Sequence, residues 1–184
     1  MTMKIVNPYM KITQTERITI DPQYMNSGIR SSMEQALKKK IEKKCNRNGY
    51  VNEIEKIIEY SYGIMPAENF NGSAIYDIKY MCRICIPIEN TIIISQIKIV
   101  KQELIISIHG PIITFIQREN VNSEIWNITD CYTHKETNRK LEINDYVKIE
   151  MLDKRINQND NQIKSIGKLL DFATESEIET YFNK

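Results

Sequence analysis

Beyond Pro87 the chain runs through five short segments in which apolar and polar residues alternate: Thr91 to Lys101, Glu103 to His109, Pro111 to Gln117, Tyr146 to Ile156 and Ile163 to Leu170. Successive side chains of a strand point to opposite faces, so period-two stretches bounded by turn-formers read as β-strands. One long excursion, Arg118 to Asn144, separates the third strand from the fourth. Five strands with a single insertion at that point is the element order of a small closed barrel of the oligonucleotide-binding type. The excursion is polar and carries the only tryptophan, Trp126, which reads as a plug under the excursion or as a base-stacking platform. Asn157 to Gln162 is a polar hairpin connection, and the tail from Asp171 is an acidic short helix ending in Tyr181 and Phe182.

Upstream of Pro87 the texture differs. Tyr9 to Ile20 reads as a strand broken by Asp21-Pro22. Ile29, Met33, Leu37 and Ile41 then recur every four residues, the spacing of one helix face. Ser31 and Glu34 form a candidate capping box, and Asn46 to Gly49 supplies the stop. The other face of this helix carries Arg30, Lys38, Lys39, Lys40, Lys43 and Lys44, with Arg47 just beyond, against only Glu34 and Glu42. It is a solvated face or a docking surface for an acidic partner. Tyr50 to Tyr60 fits both helical and strand spacing. Tyr62 to Gly72 is a loop of functional length, rich in turn-formers. Two alternating segments follow, Ala74 to Lys79 and Met81 to Ile88, the second placing Cys82, Ile84, Ile86 and Ile88 on one face; Pro87 makes its end an edge or an exit. Residues 1–88 carry a net +4 and residues 89–184 a net −3, and this change in charge and texture at one proline predicts two domains, 1–88 and 89–184.

Composition sets the outer limits. At 184 residues the chain holds one large or two small domains. A formal charge of +1 argues against a dedicated duplex-DNA binder, so any nucleic-acid contact is local. No stretch approaches the roughly 18 apolar residues of a membrane helix. Four cysteines behind an opening without an apolar signal core predict free thiols in a reducing compartment. The 34 isoleucines against 6 leucines and 5 valines, beside 17 asparagines and 18 lysines, point to an AT-rich genome, which makes Ile a poor discriminator of strand from helix.

Catalytic machinery is sparse. Cys82 and Cys85 have CxxC spacing, but no second pair exists, and in a strand their sulfurs point apart. His109 and His134 are the only histidines, too few for a zinc site or a hydrolytic triad built on them. No phosphate-cradling, dinucleotide or nucleophile-elbow motif occurs. Glu142, Asp145, Glu150 and Asp153 flank a strand start and read as solvated edge charges. No catalytic residue, metal or cofactor is therefore expected. Lys98, Lys101, Arg118, Lys148, Lys154 and Arg155 fall on or beside the barrel strands, where a groove could track phosphates, and Tyr146 is the one obvious stacking residue among the strands.

Several stretches, taken in order, resemble the seventh-subunit family of RNA polymerase II, which includes the archaeal E-prime protein and the corresponding stalk subunits of related polymerases. Asp21-Pro22, the Ile29 to Ile41 helix, Cys45 and Gly49-Tyr50-Val51 are similar to that family's first strand, helix and second strand. Gly63-Ile-Met-Pro66 resembles its tip loop, Gly72-Ser-Ala74 through Ile78-Lys79-Tyr80 the strand after it, and Arg83-Ile-Cys-Ile-Pro87 its crossing into the second domain. His109-Gly110-Pro111 through Phe115-Ile116, Val147-Lys148-Ile149 and Ser165-Ile166-Gly167 are similar to its later strands. The resemblance implies that Tyr50 to Tyr60 is a strand. It implies an α+β chain: an N-terminal truncated ribonucleoprotein-like tip domain and a C-terminal S1-type oligonucleotide-binding β-barrel. It further implies a non-catalytic stalk subunit of a DNA-directed RNA polymerase, docked on core subunits near the clamp. Tyr62, Gly63, Ile64, Met65, Pro66 and Phe70 would dock, beside a fourth-subunit-like partner. The barrel would contact single-stranded RNA weakly through Lys98, Lys101, Arg118, Tyr146, Lys148 and Arg155, because Ile stands at most positions where S1 barrels stack bases. The AT-rich bias with this divergence points to a large DNA virus or an AT-rich protist. A free-standing S1-type RNA-binding factor is the alternative reading.

Overall fold

The structure, a computed structural model, describes residues 4–68, 70–129 and 131–183. Asn69, inside the loop read from Tyr62 to Gly72, and Asp130, inside the excursion, lie outside the described residues. The chain divides into two compact units. One is Tyr9–Cys85 with Gln158–Asn161; the other gathers the residues up to Pro8, Ile86–Asn157 and those from Gln162 onward.

The first unit is a four-stranded antiparallel sheet with one helix. Its elements are β1 (Tyr9–Ile20), a 3-10 turn (Pro22–Tyr24), α1 (Ile29–Ile41), β2 (Cys45–Asn46), β3 (Gly49–Tyr60) and β4 (Ala74–Cys85), in sheet order β1-β4-β3-β2. Tyr50 to Tyr60 is thus a strand, and three register shifts against β4 explain why its alternation is broken in the sequence. α1 buries Met33, Leu37 and Ile41, and β1, β3 and β4 supply Ile18, Ile20, Ile54, Ile57, Ile78 and Tyr80 to the core. Each such side chain is worth about 1.5–3 kcal/mol when withdrawn from water.

Three local expectations are corrected. Ser31 does not cap α1: the first turn already starts at Ile29, and the Ser31 amide donates to Gly28 O inside the helix. Glu34 turns forward to Lys38 at 2.7 Å instead. The helix stops before Asn46, at Glu42, because Lys43 turns into the left-handed region (φ 61°) and exchanges main-chain bonds with β3, Lys43 N to Val51 O and Val51 N to Lys44 O. Asn46 to Gly49 makes the β2–β3 turn, with Asn46 Oδ1 accepting from Asn48 N at 2.9 Å. Finally, Ala74 to Lys79 and Met81 to Ile88 are not two strands. Tyr80, only 1% exposed, carries the alternation through, so β4 is continuous and ends at Cys85, leaving Ile86 and Ile88 outside it. β4 is central, so Pro87 marks an exit. Cys82 and Cys85 are both buried, and burial pushes their thiols up to about 11 and about 12.

The second unit is a closed barrel of β5 (Ile92–Val100), β6 (Leu104–His109), β7 (Ile112–Gln117), β10 (Tyr146–Arg155) and β11 (Ile163–Phe172). All pairs are antiparallel except β7 with β11, which run parallel from Ile112↔Ile163 to Phe115↔Ile166. A third strand paired in parallel with the fifth is the connectivity of an oligonucleotide-binding barrel. Ile93, Ile97, Ile105, Ile112, Ile116, Val147, Ile149, Ile163 and Leu169 are fully buried. At the parallel seam Thr114 and Ser165 share a buried hydroxyl hydrogen bond of 2.9 Å. Gly167 sits beside it: a Cβ there would fall 2.4 Å from Ile149 Cγ2 and 2.7 Å from Thr114 Cγ2.

Between β7 and β10 the excursion folds as a 3-10 turn (Arg118–Asn120) and a hairpin of β8 (Trp126–Ile128) and β9 (Tyr132–His134). Trp126 is a plug, 1% exposed. Its Nε1–H donates to Leu170 O at 3.0 Å and its ring meets His134 edge-on and Phe172 at a tilt. No face is left for a base. The terminal helix α2 spans Glu175–Phe182, later than the sequence reading because Asp171 and Phe172 complete β11; Thr174 and Glu177 form its capping box. Tyr181 and Phe182 pack on His109, and Phe182 on Tyr146. Among the described residues no helix is long and apolar enough to cross a membrane.

Two consequences are measurable. Gly167→Ala forces a methyl into the β10–β11–β7 contact, and we expect a loss of about 1–3 kcal/mol in denaturant unfolding, where Ala at an exposed position of β11 changes little. Burial lowers His109 to about 4 from its ordinary 6.5, so the folded state holds it neutral while the unfolded chain takes up a proton. Its contribution is complete above about pH 6.5 and is lost as pH falls towards 4, on the order of 2 kcal/mol at pH 5. Wild type should therefore lose more Tm between pH 7 and pH 5 than His109→Gln.

Candidate docking loop and barrel surface

The segment joining β3 to β4 is held at its base and open at its tip. Ser61 N donates to Asp77 O, and Ser61 Oγ accepts from Asp77 N at 3.0 Å. Ile64 and Ile75 exchange both main-chain hydrogen bonds, 3.0 and 2.9 Å. Gly63 lies so close to Tyr76 that a Cβ would fall 2.7 Å from the tyrosine ring, so any larger residue there has to push that ring aside. Gly72 turns with φ +69°, a conformation that costs glycine nothing.

On this fixed base the tip presents apolar groups to solvent. Tyr62 is 96% exposed, Phe70 99%, Ile64 65% and Met65 63%. Pro66 is half-buried among them, and Tyr60 and Ile58 at the end of β3 are also exposed. The loop does not fold back over its own sheet: none of these four large side chains is covered. Exposed apolar side chains brought together are a common feature of interaction surfaces.

The barrel cations form no single cluster, and of those expected from the sequence only Lys154 and Arg155 line one cleft together. Lys98 donates to Gln96 Oε1 at 2.7 Å and reaches Asn144. Lys101 is exposed in the β5–β6 turn. Arg118 is engaged by Glu103 at 3.1 Å and by Ile128 O. Lys148 lies between Asp171 and Glu177, at 3.8 and 3.4 Å. Lys154 is tied to Pro87 O and Glu89. Arg155, the last residue of β10 beside Lys154, bonds Asn157, and Tyr146 packs edge-on against Phe182. Among the carboxylates read as edge charges, Asp145 pairs with Arg139 and Glu150 is buried.

A cleft across β7, β10 and β11 brings Lys154, Arg155 and Asp153 together with Phe115, Lys164 and Ile166. Its one legible signal was register: Thr114 and Ile116 point inward, so Phe115 between them faces out. No group of three or more His, Cys, Asp or Glu side chains converges on a metal-sized site among the described residues.

No protein-family model matches the chain. A curated protein of Acanthamoeba polyphaga mimivirus, named "Putative DNA-directed RNA polymerase subunit", is 33% identical over 176 residues, which cover 95% of this chain and 88% of the viral protein. Identity at that level, running through both the sheet unit and the barrel and nearly end to end in each protein, is shared ancestry of the whole chain. This chain belongs to the family of DNA-directed RNA polymerase subunits that the mimiviral protein represents.

Proposed function

We propose that the chain is a non-catalytic stalk subunit of a viral DNA-directed RNA polymerase. In this reading residues 1–88 form a tip domain of truncated ribonucleoprotein type that docks on the core near the clamp, and residues 89–184 an S1-type barrel beside emerging RNA. Other polymerase subunits are the partners that follow from belonging to this family; a fourth-subunit-like stalk partner belongs to the proposal.

The observation that carries the reading is the loop of Tyr62, Gly63, Ile64, Met65, Pro66 and Phe70. A rigid base with four uncovered apolar side chains is the form of an anchor that inserts into a pocket on a larger partner. Losing a Met or Phe anchor from a well-packed contact costs on the order of 2 kcal/mol or more. Replacing Ile64, Met65 and Phe70 together with Ser, Gln and Ser should leave the melting temperature within a few degrees of wild type, since exposed residues contribute little to stability. The variant should no longer co-purify with the large polymerase subunits. Normal assembly of a folded variant would refute docking through this loop.

RNA contact by the barrel would be weak and run through phosphates. Arg118 and Lys148 are already held by carboxylates, which leaves Lys98, Lys101 and Arg155 for phosphates and Tyr146 only by its free edge. Three phosphate contacts correspond to a slope in log K against log salt of about −2 for single strands. Lys98→Gln, Lys101→Gln and Arg155→Gln together should make the slope shallower by about that amount, with little change in preference among RNA sequences. An unchanged slope, or a steep preference for one sequence, would count against the barrel as the contact surface.

A further inference from the structure

Five surface cations of the sheet unit are paired, and four others stand together without a carboxylate. Lys11, Arg17, Lys38, Lys40 and Lys79 each hold a carboxylate at 2.6–2.9 Å. Lys39, Lys43, Lys44 and Arg47 make no ion pair among the described residues, and they cluster at the C-terminal end of α1 and in the turn after β2. Residues 38–47 hold six cations against Glu42 alone, a net +5 in a chain whose total is +1. The helix dipole accounts for Lys44, whose Nζ donates to Lys39 O and Lys40 O and so caps the last turn. It does not account for Lys43 and Arg47, which lie beyond the helix.

The same end of the unit carries a polar groove where Arg47 stands beside Thr13, Thr15, Asn46, Asn48 and Gln158, with one carboxylate, Glu16, that Lys40 holds at 2.6 Å. Gln14 lines it too. Its Oε1 accepts from Asn46 Nδ2 and Tyr80 Oη, at 2.8 and 2.9 Å, which fixes the amide orientation and leaves Nε2 without a partner. Lys43, in its left-handed conformation, donates its main-chain N to Val51 O of β3 while Lys44 O accepts from Val51 N, and Asn46 fixes the turn below through Asn48 N. The groove is preorganised, hydrogen-bonding and free of aromatic side chains.

We propose that this surface is a second RNA-binding site, at which Lys39, Lys43 and Arg47 take the phosphates of a single strand while the amides and hydroxyls of the groove bond its sugars. The inference rests on the reading that this subunit handles RNA, but it places the contact on the sheet unit. Charge density favours it: residues 38–47 concentrate a net +5 in ten residues, whereas Arg118, Lys148 and Lys154 on the barrel are neutralised by carboxylates and Lys98, Lys101 and Arg155 are spread over separate elements. Without a stacking ring, binding follows salt and ignores sequence.

The test uses the full chain with fluorescence anisotropy on a labelled oligouridylate, with single-stranded DNA of equal length and polyglutamate as competitors. Lys39→Gln, Lys43→Gln and Arg47→Gln are combined; all three residues are exposed, and Lys44 is kept because its amine caps the helix. Arg47→Gln alone serves as the milder variant should the triple change lower the melting temperature. We expect the triple variant to bind oligouridylate about tenfold more weakly, with a salt slope shallower by about 2, and RNA to be preferred over DNA. The Lys98, Lys101 and Arg155 variant reports separately on the barrel. If only that variant loses binding, the barrel reading stands and this one falls. If neither does, both fall. If polyglutamate displaces RNA from wild type but the triple variant still binds RNA normally, the surface serves an acidic polypeptide and the proposal is overturned.

Discussion

Closure of the barrel depends on one parallel contact between strands 51 residues apart, Ile112–Phe115 with Ile163–Ile166. Every other pair in the barrel is antiparallel. The parallel pair is the step that turns a meander and a hairpin into a closed surface with no free edge. It is also where the packing is tightest. Gly167 brings β11 against Ile149 and Thr114 at a distance no side chain tolerates, and the Thr114–Ser165 hydroxyl pair satisfies the polar atoms that this approach buries.

The insertion between the third and fourth strands follows from that closure. A chain that leaves β7 and returns at β10 has to span the barrel wall, and here it does so with a hairpin pinned by Trp126 under Leu170 and Phe172. His134 continues the stack, with Nε2 3.2 Å from Asp171 and Nδ1 accepting from Thr137. Asp171 in turn stands near Lys148. The groups that looked most like surface chemistry in this region are thus spent on holding the insertion down, and Lys148 is neutralised with them. Lysines on strands are legible in a sequence, but whether a carboxylate from a distant element neutralises them is not.

Much of the element pattern was legible because period and punctuation agree. β1 begins and ends where alternation and Asp21-Pro22 place it, and α1 spans the residues its fourfold apolar spacing marks. The misreadings have local causes. Ser31 with Glu34 matches a capping box in composition but sits one turn too far into the helix. Tyr80 was counted as a break because a tyrosine between a lysine and a methionine does not announce that it is buried. The cleft around Phe115 went unnoticed because its members come from three strands.

The sequence by itself determined the five barrel strands, the helix, the loop with its apolar tip and the family resemblance. All of these rest on order and spacing along the chain, which short-range periodicity and turn chemistry encode directly. Only the tertiary structure decided which charges remain uncompensated, that Trp126 is a plug, and that the loop tip stays uncovered on a base locked by Gly63 against Tyr76. Each of those depends on which distant residue arrives next to a given side chain. That is fixed by strand pairing and closure, and neighbours of comparable polarity are indistinguishable in sequence until the fold brings them into contact.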